Sequence, residues 1–188
     1  MNAPFASPLH RFTVTDILHL VEKGVIHEDA KFELVEGEIV PKMSPKGIAH
    51  ERMKMLLTDW LVRSLGDKFW VMVETTLYLS KNTFLEPDFV LVSRKKKLVQ
   101  SPVGADVALA IEVYDTSKAY DLGRKAGLYA RYGVGEYWAI DAYGSGLRVH
   151  RGADPKGWTT KPEDVKPDTP IAPLCAKGVA LKLSDLKD

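Results

Sequence analysis

The sequence predicts an α/β domain built on a mixed β-sheet with helices on both faces, and three patterns carry that prediction. Residues 48–65 place apolar and charged side chains at helical spacing. Residues 107–113 are almost continuously apolar, as suits a central strand covered on both faces. The remaining patterns run helix, hairpin, helix, strands, helix, strands, which is a mixed-sheet layout. A chain of 188 residues, 45% hydrophobic and 27% charged, suits one domain over residues 1–188 with a single core.

Taken in order, residues 12–22 read as a short amphipathic helix, capped by Thr13 or Thr15 and ended by Gly24. Phe32-Glu33-Leu34-Val35 and Glu38-Ile39-Val40 flank Glu36-Gly37 as a tight hairpin. Ser44-Pro45-Lys46-Gly47 is a loop. In the helix of residues 48–65, Met53, Leu56, Leu57, Trp60, Leu61 and Ser64 share one face, opposite Arg52, Asp59 and Arg63, and Gly66 closes it. Residues 69–79 and 87–92 are strands rich in Val, Phe and Tyr, and residues 94–97 a basic loop. A helix over residues 121–132 ends at Gly133, followed by strands at 137–140 and 147–150. Residues 152–173 are mostly loop with one edge strand near Trp158, and Val179, Leu181 and Leu183 alternate with polar residues as a last strand.

Composition narrows the function classes. No stretch approaches the ~20 apolar residues of a membrane span. Residues 1–10 show no cationic segment followed by an apolar run, so no secretory signal is expected. The lone Cys175 forms no internal disulfide, in keeping with a cytoplasmic location, and the five histidines show no zinc-ligand spacing. A net charge of +1 excludes a globally basic nucleic-acid surface and leaves only a local patch for that role.

Three residues ask for more than a fold. Glu112 sits near the end of the apolar run Ala108-Leu109-Ala110-Ile111-Glu112-Val113, where an ionised carboxylate needs a partner or a metal. At strand period it shares a face with Ala108 and Ala110, whose small side chains leave space; the plainer alternative is a strand-end glutamate that reaches solvent. Asp88 follows Pro87 at the start of a strand, a position also common for a simple turn former. Lys125 falls inside the apolar arc of Leu122, Ala126, Leu128, Tyr129 and Tyr132, whereas Arg124 and Arg131 fall outside it. Such a lysine either meets an acid or snorkels to water. Two strand carboxylates and a lysine together suit a divalent cation and phosphodiester hydrolysis.

These residues, taken as a set, resemble the Uma-type restriction endonuclease family of the PD-(D/E)XK superfamily. The likeness rests on Phe32 to Glu38, Ser44-Pro45 followed by His50, Pro87-Asp88, Ile111-Glu112-Val113, Asp121, Lys125, Tyr129, and Gly133 to Trp138 with Asp141. It implies a restriction-endonuclease-like fold, often homodimeric, and a Mg²⁺- or Mn²⁺-dependent endonuclease acting on nucleic acid, DNA in the first instance. Asp88, Glu112 and Lys125 would be catalytic, and Asp88, Glu112 and the Val113 carbonyl would hold the metal. The superfamily's usual lysine, two residues after the acid, is replaced here by Tyr114, and the following helix supplies Lys125 instead. Tyr114-Asp115 also departs from the family's usual turn, so that Tyr114 is expected to crowd the site or stack on a base. His50 and Glu33 are weaker accessory candidates, and Arg94 to Lys97 a candidate phosphate contact. Two other classes stay open: a catalytically silent nucleic-acid-binding or assembly module, and a hydrolase of small phosphate compounds.

Overall fold

The computed structural model describes residues 10–42 and 47–187. Ser44-Pro45 and residues 1–9 lie outside them. Helix α1 (Val14–Glu22) starts at a capping box in which Thr13 and Asp16 exchange hydrogen bonds. Strands β1 (Phe32–Val35) and β2 (Glu38–Pro41) form the expected hairpin, with Val35 opposite Glu38. Its two turn residues, Glu36 and Gly37, both have positive φ, 52° and 84°, as a two-residue hairpin requires. Helix α2 (Ile48–Leu65) keeps its expected bounds and buries Met53, Leu56, Leu57, Leu61 and Leu65.

The expected strand over residues 69–79 is two strands in two different sheets. β3 (Phe69–Val73) stops at Glu74, whose φ of 47° turns the chain out of the ladder, and β4 (Leu77–Ser80) starts again elsewhere. β5 (Thr83–Leu85), which the sequence pattern did not suggest, pairs with β4 and β1, giving a sheet of order β2-β1-β5-β4. The chain then switches sheets again at Pro87-Asp88 to enter β6 (Phe89–Ser93), and the Glu74 amide donates to the Asp88 carbonyl at 3.1 Å, tying the two switches together.

β7 (Val107–Tyr114) lies inside the larger sheet, antiparallel to β6 and parallel to β8 (Glu136–Asp141). The β7-to-β8 crossover is helical: α3 (Lys118–Tyr120), a π-helical turn (Asp121–Lys125) and α4 (Ala126–Arg131), where a regular helix over residues 121–132 was expected. β9 (Leu147–Arg151) follows antiparallel to β8. Near Trp158, β10 (Ala153–Asp154) and β11 (Gly157–Trp158) form a separate hairpin against α4 rather than a sheet edge. The edge is β12 (Glu163–Val165), completing the order β12-β9-β8-β7-β6-β3.

No last strand forms through Val179, Leu181 and Leu183. One bridge joins Ile171 to Leu181, and Leu183 begins a 3₁₀ turn, although Ile171, Leu181 and Leu183 are buried. Pro167, Pro170 and Pro173 lack the N–H groups a ladder would need. One core, with Leu57, Leu61, Phe89, Leu91, Ile111 and Trp138, lies on the α2 side of the sheet. The other, with Val90, Ala110, Ala126, Tyr129 and Tyr137, lies on the α4 side. A register shift between Leu91 and Val92 moves Val107 into the α4-side core and Ala108 to the α2 side, so Glu112 shares its face with Ala110 but not Ala108. Among the described residues, no helix is long and apolar enough to cross a membrane.

Candidate active site

The last β6–β7 pair is Phe89 with Ile111, and one further step of that register sets Asp88 beside Glu112. The Val113 amide, beyond that pair, donates to Asp88 Oδ2 at 2.8 Å. A side chain thus replaces the missing ladder carbonyl, which fixes the Asp88 carboxylate. From α2, His50 brings Nε2 to 3.4 Å from the same oxygen, while its Nδ1 lies 3.2 Å from Glu51 Oε1.

Opposite stands the π-helical turn. Such a turn carries one extra residue in the helical path, a feature frequent at functional sites. It buries both Asp121 and Lys125. The Lys125 ammonium lies 2.8 Å from Glu112 Oε1, 2.9 Å from Glu33 Oε1 and 3.7 Å from Asp121 Oδ1. Its expected burial on the sheet side is therefore met by three acids rather than by snorkelling. Glu112 Oε1 also accepts from the Tyr129 hydroxyl at 2.7 Å. Glu33, a strand residue of the smaller sheet, accepts from the Glu86 amide at 3.0 Å and from the Tyr120 hydroxyl at 3.2 Å. The site thus joins both sheets, α2 and the crossover helix.

Glu33, Asp88, Glu112 and Asp121 are all at most 4% exposed, against one equally buried ammonium, Lys125. Carboxylates in that excess repel one another in low dielectric. Burial pushes the Glu112 carboxyl up to about 8; Lys125 pulls it back, and Asp121, Asp88 and Glu33 add to the rise. Burial likewise raises Asp121. For Lys125, burial works against the charged form, but Glu112, Glu33 and Asp121 outweigh it and hold the ammonium well above the usual lysine range.

All these groups line a cleft of about 850 Å³, together with His50, Val113 and Asp115. Tyr114 does not crowd it: the ring packs into the α4-side core at 7% exposure, and only Asp115 reaches the lining. The basic loop is not there either. Arg94 stacks on Trp70 at 4.0 Å, and Lys96 pairs with Asp106. A second hollow of about 500 Å³, lined by Lys68, Arg94, Lys95 and Cys175 among others, holds none of the expected catalytic or metal-ligating residues. Tyr137 and Trp138 are fully buried core.

The sequence offers Glu33 only as a weaker accessory candidate and assigns no role to Asp121, Tyr120 or Tyr129, all of which the structure brings to Lys125 or Glu112. Asp121 was within reach, because an acid four residues before Lys125 faces it along a helix. The contact of Glu33 with Lys125 was not, since the two lie 92 residues apart, across a sheet-to-helix contact.

A family model, Uma2, described as "Putative restriction endonuclease", matches residues 15–184. Among solved structures, a "putative nuclease belonging to DUF820" from Anabaena variabilis ATCC 29413 superposes with a TM-score of 0.71 at 18% identity, covering 93% of this chain and 97% of that one. That likeness establishes the restriction-endonuclease-like mixed α/β fold. The type IIG restriction endonuclease BpuSI also matches, at 18% identity and a TM-score of 0.37 over 54% of this chain and 11% of that one, too loosely to support an argument. No curated protein matches.

Proposed function

We propose, from the premise that this chain belongs to the Uma2 restriction endonuclease family, that it is a metal-dependent endonuclease acting on nucleic acid, DNA in the first instance. The observation that carries the reading is the juxtaposition of Asp88 and Glu112 with Lys125 at the bottom of a cleft. In this reading all 188 residues act as one cytoplasmic unit and pair as a homodimer. The exposed apolar stripe of Ile48, Met55 and Val62 on the outer face of α2 supports that pairing.

A divalent cation suits the donors present. Glu112 commits Oε1 to Lys125 and Tyr129, and among the described residues nothing bonds Oε2. Two carboxylates and the Val113 carbonyl are hard oxygen donors, and the surplus of buried acids calls for positive charge. Among the described residues no three His, Cys, Asp or Glu side chains are arranged to hold a metal ion by themselves, so water would complete the shell, as Mg²⁺ (or Mn²⁺) prefers. When bound, the ion supplies Lewis acidity at a phosphoryl oxygen and a lowered pKa for an attacking water.

The chain's own residues do the rest. The Val113 amide and His50 orient Asp88. Tyr129 fixes the Glu112 carboxylate, leaving Oε2 for the cation. Lys125 holds its proton and offers positive charge to a phosphate in transition. Glu33 and Asp121 keep that ammonium charged and in place. His50 is also placed to carry a proton to or from the cleft. One observation favours a second reading, a silent nucleic-acid-binding or assembly module: Lys125 already neutralises Glu112 directly. Metal-dependent cleavage separates the two. The nuclease reading expects cleavage by the wild type that disappears in Lys125→Ala with an unchanged circular-dichroism spectrum. A wild type that binds nucleic acid and never cuts it would establish the silent module.

A further inference from the structure

Within the nuclease reading, on which this inference rests, the depth and charge of the cleft bear on the geometry of the substrate. Glu33, Asp88, Glu112, Asp121 and Lys125 are so recessed that a reacting phosphate has to enter the cleft and cannot react across its mouth. Its volume of about 850 Å³ is that of a site enclosing one small organic molecule. A duplex brings a second backbone with every phosphate, one negative charge per ~1.7 Å of axis, and proteins that hold duplexes meet it with Lys and Arg.

This cleft does the opposite. Its described lining counts eight carboxylates against three lysines. Lys125 is held by Glu112 and Lys42 by Glu86, leaving Lys31 as the one lining lysine without a carboxylate partner among the described residues. Lys54, which pairs with Glu74 at 2.6 Å and lies 3.8 Å from Glu51, is itself buried, does not line the cleft and offsets one of those two charges. Glu51 and Glu74 stay about half exposed. A second strand would set its phosphates against that acidic rim.

A single strand brings one backbone and an unstacked base, and Tyr120 offers a ring to it. The ring is half-buried in the cleft wall, tied through its hydroxyl to Glu33 at 3.2 Å, with the Lys125 ammonium 5.6 Å from its centre. Stacking of bases on such fixed rings is how single strands are held without sequence preference. We propose that the cleft admits one unpaired strand of nucleic acid and excludes the duplex, with Tyr120 as the stacking platform beside the scissile phosphate.

The test is cleavage of oligothymidylate, oligouridylate and the dT·dA duplex by the full chain in Mn²⁺. The expected result is kcat/KM at least roughly tenfold higher on a single strand than on the duplex, with the choice between the two single strands identifying the sugar. Tyr120→Ala should raise KM roughly tenfold while kcat changes little, and Tyr120→Phe, which keeps the ring, should retain the wild-type KM. Duplex cut as fast as either single strand, or an unchanged KM in Tyr120→Ala, overturns the inference and leaves the nuclease reading standing. A folded, Mn²⁺-binding wild type that cuts none of the three overturns both.

Discussion

Two buried glutamates stand on neighbouring strands of the same sheet, and their surroundings differ. Glu136 on β8 is fully buried, and both its oxygens are used: Oε1 accepts from Trp138 Nε1 at 2.9 Å and Arg151 Nε at 2.7 Å, and Oε2 from the Leu174 amide at 2.7 Å. Arg151 also donates to the Ala172 carbonyl at 2.9 Å, so this glutamate fastens the C-terminal segment to the sheet. Glu112 on β7 is almost as buried, but its donors crowd onto Oε1, its neighbours are other acids, and it borders a cleft. Burial of a carboxylate alone therefore marks nothing. An uncommitted oxygen, a surplus of like charge and access to solvent distinguish the group proposed to bind a cation from the one that holds the fold together.

The sharpest way to break this contrast is to remove each glutamate's cationic partner. Lys125→Ala should lower the cleavage rate by about two to three orders of magnitude, as loss of a charge-stabilising donor does, while the urea midpoint shows the protein still folded. Arg151→Ala should do the reverse: about 3 kcal/mol of stability lost in urea denaturation, with kcat within a few-fold of wild type. Equal losses of activity in the two variants would erase the distinction.

His150 sharpens the contrast as a third case, a buried polar group with no partner. It is 3% exposed, stacks between Tyr137 and Trp158 at 5.4 and 5.5 Å, and neither ring nitrogen has a hydrogen-bond partner. Burial, with Arg148 adding to it, lowers its pKa from 6.5 to about 4. Above pH 6.5 the ring is neutral in both folded and unfolded chains, and stability is complete. As pH falls toward 4 the unfolded chain takes up a proton that the folded one refuses, so stability declines by up to about 3 kcal/mol. Denaturation midpoints across that window check this, and His150→Phe should flatten the decline. The smallest effect belongs to Tyr129→Phe, which removes one of two donors to Glu112: about 1 kcal/mol of stability. A loss several times larger would show that Tyr129, not Lys125, is the main support of that carboxylate.

The parts of this architecture that the sequence made legible are those with strong local periodicity. α2 and β7 emerge from apolar spacing, and the hairpin from two short strand segments flanking Glu36-Gly37. Lys125 was legible because a lysine inside an apolar arc has few reasons to be there. The sheet switch at Glu74 was not, because a β-rich composition continues across residues 69–79 and only the positive φ of Glu74 breaks the ladder; at Pro87-Asp88 the strand start was legible but the change of sheet was not. The π-helical turn leaves no compositional mark, and the family segment holding Glu136 gave no hint that Arg151 and Leu174 would close around it. Contacts between distant segments, Glu33 with Lys125 above all, depend on how two sheets and a helix pack, which local pattern does not encode.

On the reading proposed, a divalent cation binds between Asp88 and Glu112. Calorimetric titration of Mn²⁺ into the wild type, Glu112→Gln and Glu136→Gln tests it most directly. The expected result is single-site binding that weakens roughly tenfold or more in Glu112→Gln, an effect of about 1.4 kcal/mol, and is unchanged in folded Glu136→Gln. No binding by the folded wild type, or binding that survives Glu112→Gln intact, would contradict it.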